Sequence, residues 1–498
     1  MGIGLLTLVS IGKENIFISA EPEITFFKIA YKRYTNYSIE QTPQYFKTTP
    51  DFGRKCTVNI GKTADLMGMS YIYIELPDIQ MQNFSNTFIK KFAWTKKIGL
   101  ALINYIEIEI GGTIIDRHYG DWMNIWNELT ISSGIKKSYN KMIGNISYLN
   151  NYSLTKSSYI LYIPLSFWFC QDTGLNLPLV ALNNSDIKIH VEFNDIDKCY
   201  NLSPSYYIYM KDNICLYESG EYIYQTYQNN KIIGEFINYN VITQQLFFNP
   251  IKGNFIIPNI QNDPNLIIVG VKSNYTMNIQ SNTVIVKNED FFKFNKPSLI
   301  NSYLLINYIY LDNNERYNFI NNSHEYLIQV ITTIPEQIIS TINSIYKLPL
   351  TNPIKLIAWR TLLQSNKTIN NYFDYNYNNI ELNNSFNLIS TNIINKNLLI
   401  INSINRMDLN SIEYYTILPN YQFNFNNEQS GIYTYSFALN PKDLQPSGSM
   451  NFSKIEDSYL QFQLNNIINY QNSVSIKCYA IQYNLLKISY GIANFGFN

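Results

Sequence analysis

The chain of 498 residues is short of charge. Only 15% of its residues are Asp, Glu, Lys or Arg, against a usual share of about 25%. Lys+Arg and Asp+Glu each number 37, so the formal net charge is zero. A dedicated nucleic-acid binder carries a basic excess that neutralises phosphates, and that excess is lacking. A disordered chain combines high net charge with few aromatics, and neither condition holds. Cysteine is scarce: Cys56, Cys170, Cys199, Cys215 and Cys478, with no C-x-x-C pair. The odd number and wide spacing argue against a disulfide framework and a zinc site. Reduced, buried thiols folded in a cytosol-like compartment are the expectation. No apolar run approaches the about 18 residues needed to span a bilayer. The best candidate, Tyr159 to Cys170, contains Pro164 and reads as a buried strand. The start lacks the basic region of a signal peptide. It also carries Leu6 where a myristoylation pattern needs Ser or Thr.

What is abundant is apolar and aromatic. Hydrophobic residues make up 46%, with 42 Tyr, 28 Phe and 75 Ile, and there are 69 Asn. Ile and Tyr fit the pleated, half-buried surface of a strand. Asn suits turns, because its side chain bonds nearby backbone and it tolerates left-handed conformations. A large, turn-rich, mostly β chain is expected. A surface without net charge does little to keep molecules apart, which suits a protein that packs against copies of itself.

Alternating runs recur along the chain. Tyr105 to Ile110 places isoleucines on one face, and Gly111-Gly112 then predicts a tight hairpin into Thr113-Ile114-Ile115. Asp186 to Phe193 alternates again, with Lys188, His190 and Glu192 on the wet face. Thr57–Ile60 and Tyr71–Leu76 are further strands. Helical signals are few. Asp121 is a candidate cap for a helix with Trp122, Ile125, Trp126 and Leu129 on one stripe. Phe26 to Tyr34 reads as a short helix or a strand. Ser323 reads as a capped turn into His324–Ile328. The Tyr- and Asn-rich stretch from about 200 to 300 reads as a large insertion with its own β structure. The Asn-rich stretch from 365 to 400 reads as a long polar loop.

Chemical motifs fail on inspection. Gly61-Lys62-Thr63 lacks the glycine five positions earlier that lets a P-loop wrap phosphates, since Cys56 stands there. It reads as a turn leaving a strand. Asp312 to Arg316 has the oxygen density of a calcium loop, but lacks the glycine at loop position six and carries Arg316 in a ligand position. Asp116, His118 and Asp121 read as a surface hydrogen-bonding cluster, with His118 and Asp121 on one helical face. No G-x-S-x-G or H-E-x-x-H occurs. No residue is assigned a catalytic, cofactor-binding or metal-ligating role, no cofactor is expected, and an enzyme is not expected.

Several segments carry a family pattern. They include Pro22-Glu23-Ile24-Thr25-Phe26-Phe27-Lys28, continuing to Tyr37, then Asp51-Phe52-Gly53-Arg54-Lys55 and Ile114 to Trp122. Tyr162-Ile163-Pro164-Leu165 and Gly174 to Leu182 follow. Later come Tyr308 to Arg316, His324 to Ile328, Tyr433 to Leu439, Gln445 to Ser453 and Tyr483 to Leu486. In this order they resemble the major capsid proteins of nucleocytoplasmic large DNA viruses, especially the mimivirus-like branch. The resemblance is loose from about 365 to 410.

The resemblance implies an all-β fold of two consecutive eight-stranded jelly rolls with few short helices. An arm would cover 1–22. The first roll would cover 23–318, with a β-rich insertion at about 196–302, and the second roll 319–498. It implies a structural protein that trimerises into pseudo-hexameric capsomers tiling an icosahedral shell. Its partners would be itself as a homotrimer, neighbouring capsomers, and minor capsid and penton proteins. An inner membrane would be approached through minor proteins, host-surface glycans are a further candidate, and no direct nucleic-acid contact is expected. The place would be the outer shell of the virion, assembled in the host cytoplasm. The apolar stretch Gly4 to Ile18 would line the inner surface. A scaffold or minor shell protein of the same fold, and a jelly-roll carbohydrate-binding surface protein, are the alternatives.

Overall fold

A computed structural model describes residues 5, 9, 21–81, 90–227, 230–257, 267–287, 296–381, 387–406, 411–426, 431–470 and 472–497. Most of Gly4 to Ile18 lies outside them. Among the described residues every strand pair is antiparallel, and the larger sheets form two successive sandwiches plus a separate seven-stranded sheet, with three two-stranded pairs besides.

In the first sandwich, one sheet runs Tyr37–Tyr45, Asn301–Leu311, Leu66–Leu76, with Tyr159–Pro164 and Leu177–Pro178 on the far side of Leu66–Leu76. The other runs Lys55–Asn59, Ile187–Phe193, Ile103–Ile110, Thr113–Tyr119. The alternation expected in Ile187–Phe193 holds: Ile187, Ile189, Val191 and Phe193 are buried and the residues between them are half-exposed. Gly111 and Gly112 both adopt positive φ, 58° and 88°. That is the backbone a two-residue hairpin between right-twisted strands demands, and it pairs Ile110 with Thr113.

The second sandwich sets His324–Ile339, Val474–Ser489, Pro353–Leu363 and Ile432–Ser436 against Asn343–Lys347, Ser458–Leu464 and Ile394–Ile401. Between the strands Tyr200–Ser203 and Asn301–Leu311 lies a seven-stranded sheet, running from Tyr206–Tyr209 to Val286–Lys287. It has a core of its own, with Ile208, Ile223, Phe236, Leu246, Phe248 and Ile268 buried together. The two sandwiches are not separate in the same way. One apolar core runs from Val58, Ile72 and Trp122 of the first into Val330, Leu356 and Tyr479 of the second.

Some local expectations are corrected. Residues 26–34 form neither helix nor strand, and Phe26 and Phe27 are 100% and 98% exposed. With nothing to bury their apolar face, neither regular element is stabilised there. The failed calcium loop Asp312 to Arg316 is the start of a helix, and Asp312 sits at its cap. Its carboxylate accepts from the Asn313 backbone N–H and caps the helix Asn313–Asn321. Ser323 follows that helix, and His324 already opens a strand. The stretch from 365 to 400 is not one loop. It holds the short helix Gln364–Thr368, the strand pair Tyr377–Glu381 and Asn387–Thr391, and the start of Ile394–Ile401.

The helix Gly120–Thr130 buries Trp122, Ile125 and Leu129 as its stripe predicts. Its first residue must be glycine, because a Cβ there would lie 2.6 Å from the Ile103 carbonyl oxygen and closer still to that of Leu100. Both are backbone atoms that cannot rotate away. Gly120→Ala is therefore expected to destabilise the chain by about 3 kcal/mol through overpacking, read as a lower midpoint in urea unfolding.

The buried joint and the candidate assembly surface

The segment Asp116 to Trp122 is where the two sandwiches are joined. Asp116 is buried on the strand Thr113–Tyr119, and its Oδ1 accepts from the Arg117 N–H at 2.9 Å and the Ile331 N–H of the second sandwich at 3.0 Å. His118 stacks on Phe167, with ring centroids 4.6 Å apart. Its Nε2 lies 2.9 Å from Asp116 Oδ2, at ion-pair distance but off the hydrogen-bonding direction. The cluster is thus buried rather than superficial, and His118 sits on a strand while Asp121 sits on a helix, so they share no helical face.

Asp121 reaches furthest. Its carboxylate receives the Arg360 Nε–H at 2.7 Å, the Tyr375 hydroxyl at 2.5 Å and the Tyr479 hydroxyl at 3.2 Å. Arg360 also donates to Ser475 Oγ at 3.0 Å and to Glu336 Oε1 at 3.2 Å. Trp122 packs on the Tyr479 ring at 5.3 Å. Burial alone would push the Asp121 carboxyl upward. Arg360, Lys477 and the Tyr375 hydroxyl outweigh it and hold the group below its ordinary value. Burial likewise opposes ionisation of Glu336, but Arg360, Ser475 and Lys367 win and bring it down to about 2. Asp116 and Asp121 thus act as fasteners. Among the described residues no three His, Cys, Asp or Glu side chains gather as a metal site.

The second feature is an exposed face. In the sheet Tyr37–Tyr45, Asn301–Leu311, Leu66–Leu76, Tyr159–Pro164, register places Tyr45, Tyr303, Tyr73 and Tyr162 in one transverse row. Their rings follow at 5.6, 4.4 and 5.4 Å. The adjacent row is Pro43, Leu305, Tyr71 and Pro164. None of these eight is charged, and Tyr45 is 66% exposed. Contiguous apolar surface of this kind marks an interaction site. At the opposite end of the strand Tyr37–Tyr45, the exposed segment 24–34 leads into Thr35, whose hydroxyl donates to Glu315 at 2.6 Å.

Residues 25–239 match the family described as major capsid protein N-terminus. Residues 315–494 match the large eukaryotic DNA virus major capsid protein family. A probable capsid protein 4 of Acanthamoeba polyphaga mimivirus is 34% identical, over 100% of this chain and 99% of that one. The major capsid protein of Phaeocystis pouchetii virus is 25% identical with both chains fully covered. The chain belongs to the major capsid protein family of large eukaryotic DNA viruses. Among solved structures, the Faustovirus major capsid protein superposes with TM-score 0.68 at 12% identity, covering 98% of this chain and 96% of that one. A chain of the PBCV-1 capsid superposes with TM-score 0.62 at 20% identity, covering 95% and 100%. The superpositions establish the fold as a double jelly roll, as the motifs had implied, and the family and its relatives establish the role as that of a structural capsid protein.

Where do the capsid motifs fall? Asp51 of the second motif accepts from the Phe52 and Leu299 backbone N–H groups. Lys62 of the rejected P-loop donates to the Leu182 and Asn183 carbonyls, as a loop fastener. Arg316 of the rejected calcium loop pairs with buried Asp65 at 3.0 Å. Sequence reading missed Arg360, Lys477 and Tyr375. A signal existed for the first two: each is one of only two cations in a strand rich in apolar residues, Arg360 beside Lys355 in Pro353–Leu363 and Lys477 beside Lys487 in Val474–Ser489.

The insertion touches the second roll through Lys252, whose Nζ lies 3.7 Å from the Tyr377 ring centroid. The ring face favours the cation, but burial first and Lys231 second lower its pKa to about 7. From about 7 up to the ordinary 10.5, the unfolded chain holds a proton that the folded chain lacks. Stability must then rise with pH across that window. Lys252→Met is expected to flatten this part of the curve, as thermal melts from pH 7 to 10 will show.

Proposed function

We propose that three copies of this capsid protein close into a ring whose six jelly rolls form a pseudo-hexameric capsomer, and that capsomers tile an icosahedral shell. The observation that carries this is the charge-free double row headed by Tyr45, Tyr303, Tyr73 and Tyr162. Cyclic threefold closure uses one heterologous contact repeated three times, and interface cores are poor in charge and rich in tyrosine. Zero net charge is compatible with dense self-packing. The chain divides into an arm at 1–22, a first roll at 23–318 carrying the insertion at about 196–302, and a second roll at 319–498. The insertion rises outward as a tower, a reading supported by its separate core. The role has no catalytic step and no cofactor. Minor capsid and penton proteins are the other neighbours within the virion. Five unpaired thiols support assembly in the reducing host cytoplasm. Native mass spectrometry of the full chain tests the ring. Three-chain species at micromolar concentration are expected, and a chain that stays single at tens of micromolar overturns the reading.

A further inference from the structure

Two adjoining cavities, of about 600 and 530 Å³, open where the first roll, the insertion and the second roll meet. They share Asp197, Lys287, Thr368 and Asn370 in their walls. Each volume lies in the usual range for small-ligand sites, about 300 to 1,000 Å³. Seven cationic side chains line the pair, against the carboxylates Asp121 and Asp197. In a chain of zero net charge that concentration stands out.

These charges are unequally satisfied. Arg360 is neutralised by Asp121 and Glu336. Lys367 shares Glu336 at 3.2 Å, and Lys296 reaches Asp197 only at 3.4 Å. Lys198 makes one long bond, 3.4 Å, to the Asn194 side-chain oxygen. Lys477 has no carboxylate within ion-pair distance among the described residues. Its Nζ rests on the faces of Tyr119 and Tyr479, 4.1 and 5.2 Å from their centroids. An ammonium carries three donors, and ring faces use none of them as a lone-pair acceptor would. Lys477 is half-buried, Lys198 and Lys367 are exposed at the rim, and all three line one cavity.

We propose that this cavity pair binds a small polyphosphate anion, its oxygens held by Lys198, Lys367 and Lys477. A single carboxylate carries one negative charge against the three lysines Lys198, Lys367 and Lys477 in one wall. Lysine recognises phosphate as a point charge, without the planar fork that carboxylate pairing favours. Tyr119, Tyr372 and Phe373 in the same wall offer flat surface for a base, if the phosphates belong to a nucleotide. Because the walls come from three parts of the chain, the anion ties the tower to both rolls.

The test is thermal unfolding of the full chain at fixed ionic strength with tripolyphosphate, ATP or inorganic phosphate. Tripolyphosphate is expected to raise Tm saturably, since a ligand bound only to the folded state stabilises it. Inorganic phosphate should need at least tenfold higher concentration. ATP acting at lower concentration than tripolyphosphate identifies a nucleotide, and the reverse order identifies free polyphosphate. Lys198→Gln and Lys367→Gln should each weaken the midpoint concentration at least threefold, and Lys477→Gln at least tenfold. Should Lys477→Gln fail to fold, the two rim variants decide. The proposal is overturned if no saturable shift occurs or if the rim variants leave it unchanged. It is also overturned if an oligoglutamate peptide binds here and polyphosphate does not displace it.

Discussion

Replacing Arg360 with methionine will destabilise the protein by about 3–5 kcal/mol, the usual penalty for removing one partner of a buried ion pair. The side chain is 6% exposed and holds together groups from both rolls. Without it the Asp121 carboxylate keeps two tyrosine hydroxyls and the more distant Lys477 but loses its paired charge, and Glu336 keeps Lys367 and Ser475. Asp121→Asn in the same background should recover part of the loss, because the uncompensated buried charge disappears with it. Urea unfolding of the single and double variants measures both effects. Equal destabilisation by the single and the double variant would contradict this account of the joint. The pH dependence follows from the same groups. The Glu336 carboxyl is depressed to about 2 from an ordinary 4.5, and Asp121 is also depressed. A depressed acid contributes stability that is complete above its unfolded pKa and is lost as pH falls toward the folded one. Wild-type stability should therefore fall between about pH 4.5 and 2, and the Arg360→Met variant should lose less over that interval.

Tyr73→Arg, placed in the middle of the aromatic row, is expected to weaken self-association by at least 100-fold while leaving the monomer folded. Tyr73 stacks on Tyr303 at 4.4 Å and meets Tyr162 edge-on, so it sits at the centre of the uncharged patch. Central tyrosines in dry patches carry a large share of interface energy. A guanidinium there would be desolvated without a carboxylate partner in either row. A loss of about 3 kcal/mol corresponds to a factor of about 150 in Kd. The ring is half-exposed in the single chain, so the fold should tolerate the change. Sedimentation velocity separates these outcomes. A variant that still associates like the wild type places the contact between copies elsewhere.

How much of this was legible in the residues can be judged element by element. The strand Ile187–Phe193, the hairpin at Gly111-Gly112 and the helix bearing Trp122, Ile125 and Leu129 were readable, because each is coded by local period and turn chemistry. Phe26 to Tyr34 misled, since its apolar residues look like one face of an element but find nothing to cover them. The Asn-rich stretch misled in the opposite direction. Asn366 is buried and donates to the Asp374 carbonyl, and Asn370 donates to the Asp197 and Tyr200 carbonyls of the first roll. An asparagine that satisfies distant backbone looks, in sequence, like one that faces water.

The same division holds for function. Composition alone determined a charge-poor β protein suited to self-association, because strand propensity and net charge are properties of residues taken singly. Ordered motifs determined the family, because they are strings. Only the tertiary structure decided what those motifs do. Asp121 meets Arg360 across 239 positions of chain, and Tyr45 meets Tyr303 across 258. Neither pairing has a local signature. A buried charge finds its partner, and an aromatic row its register, only when separate strands are brought into one sheet or one core.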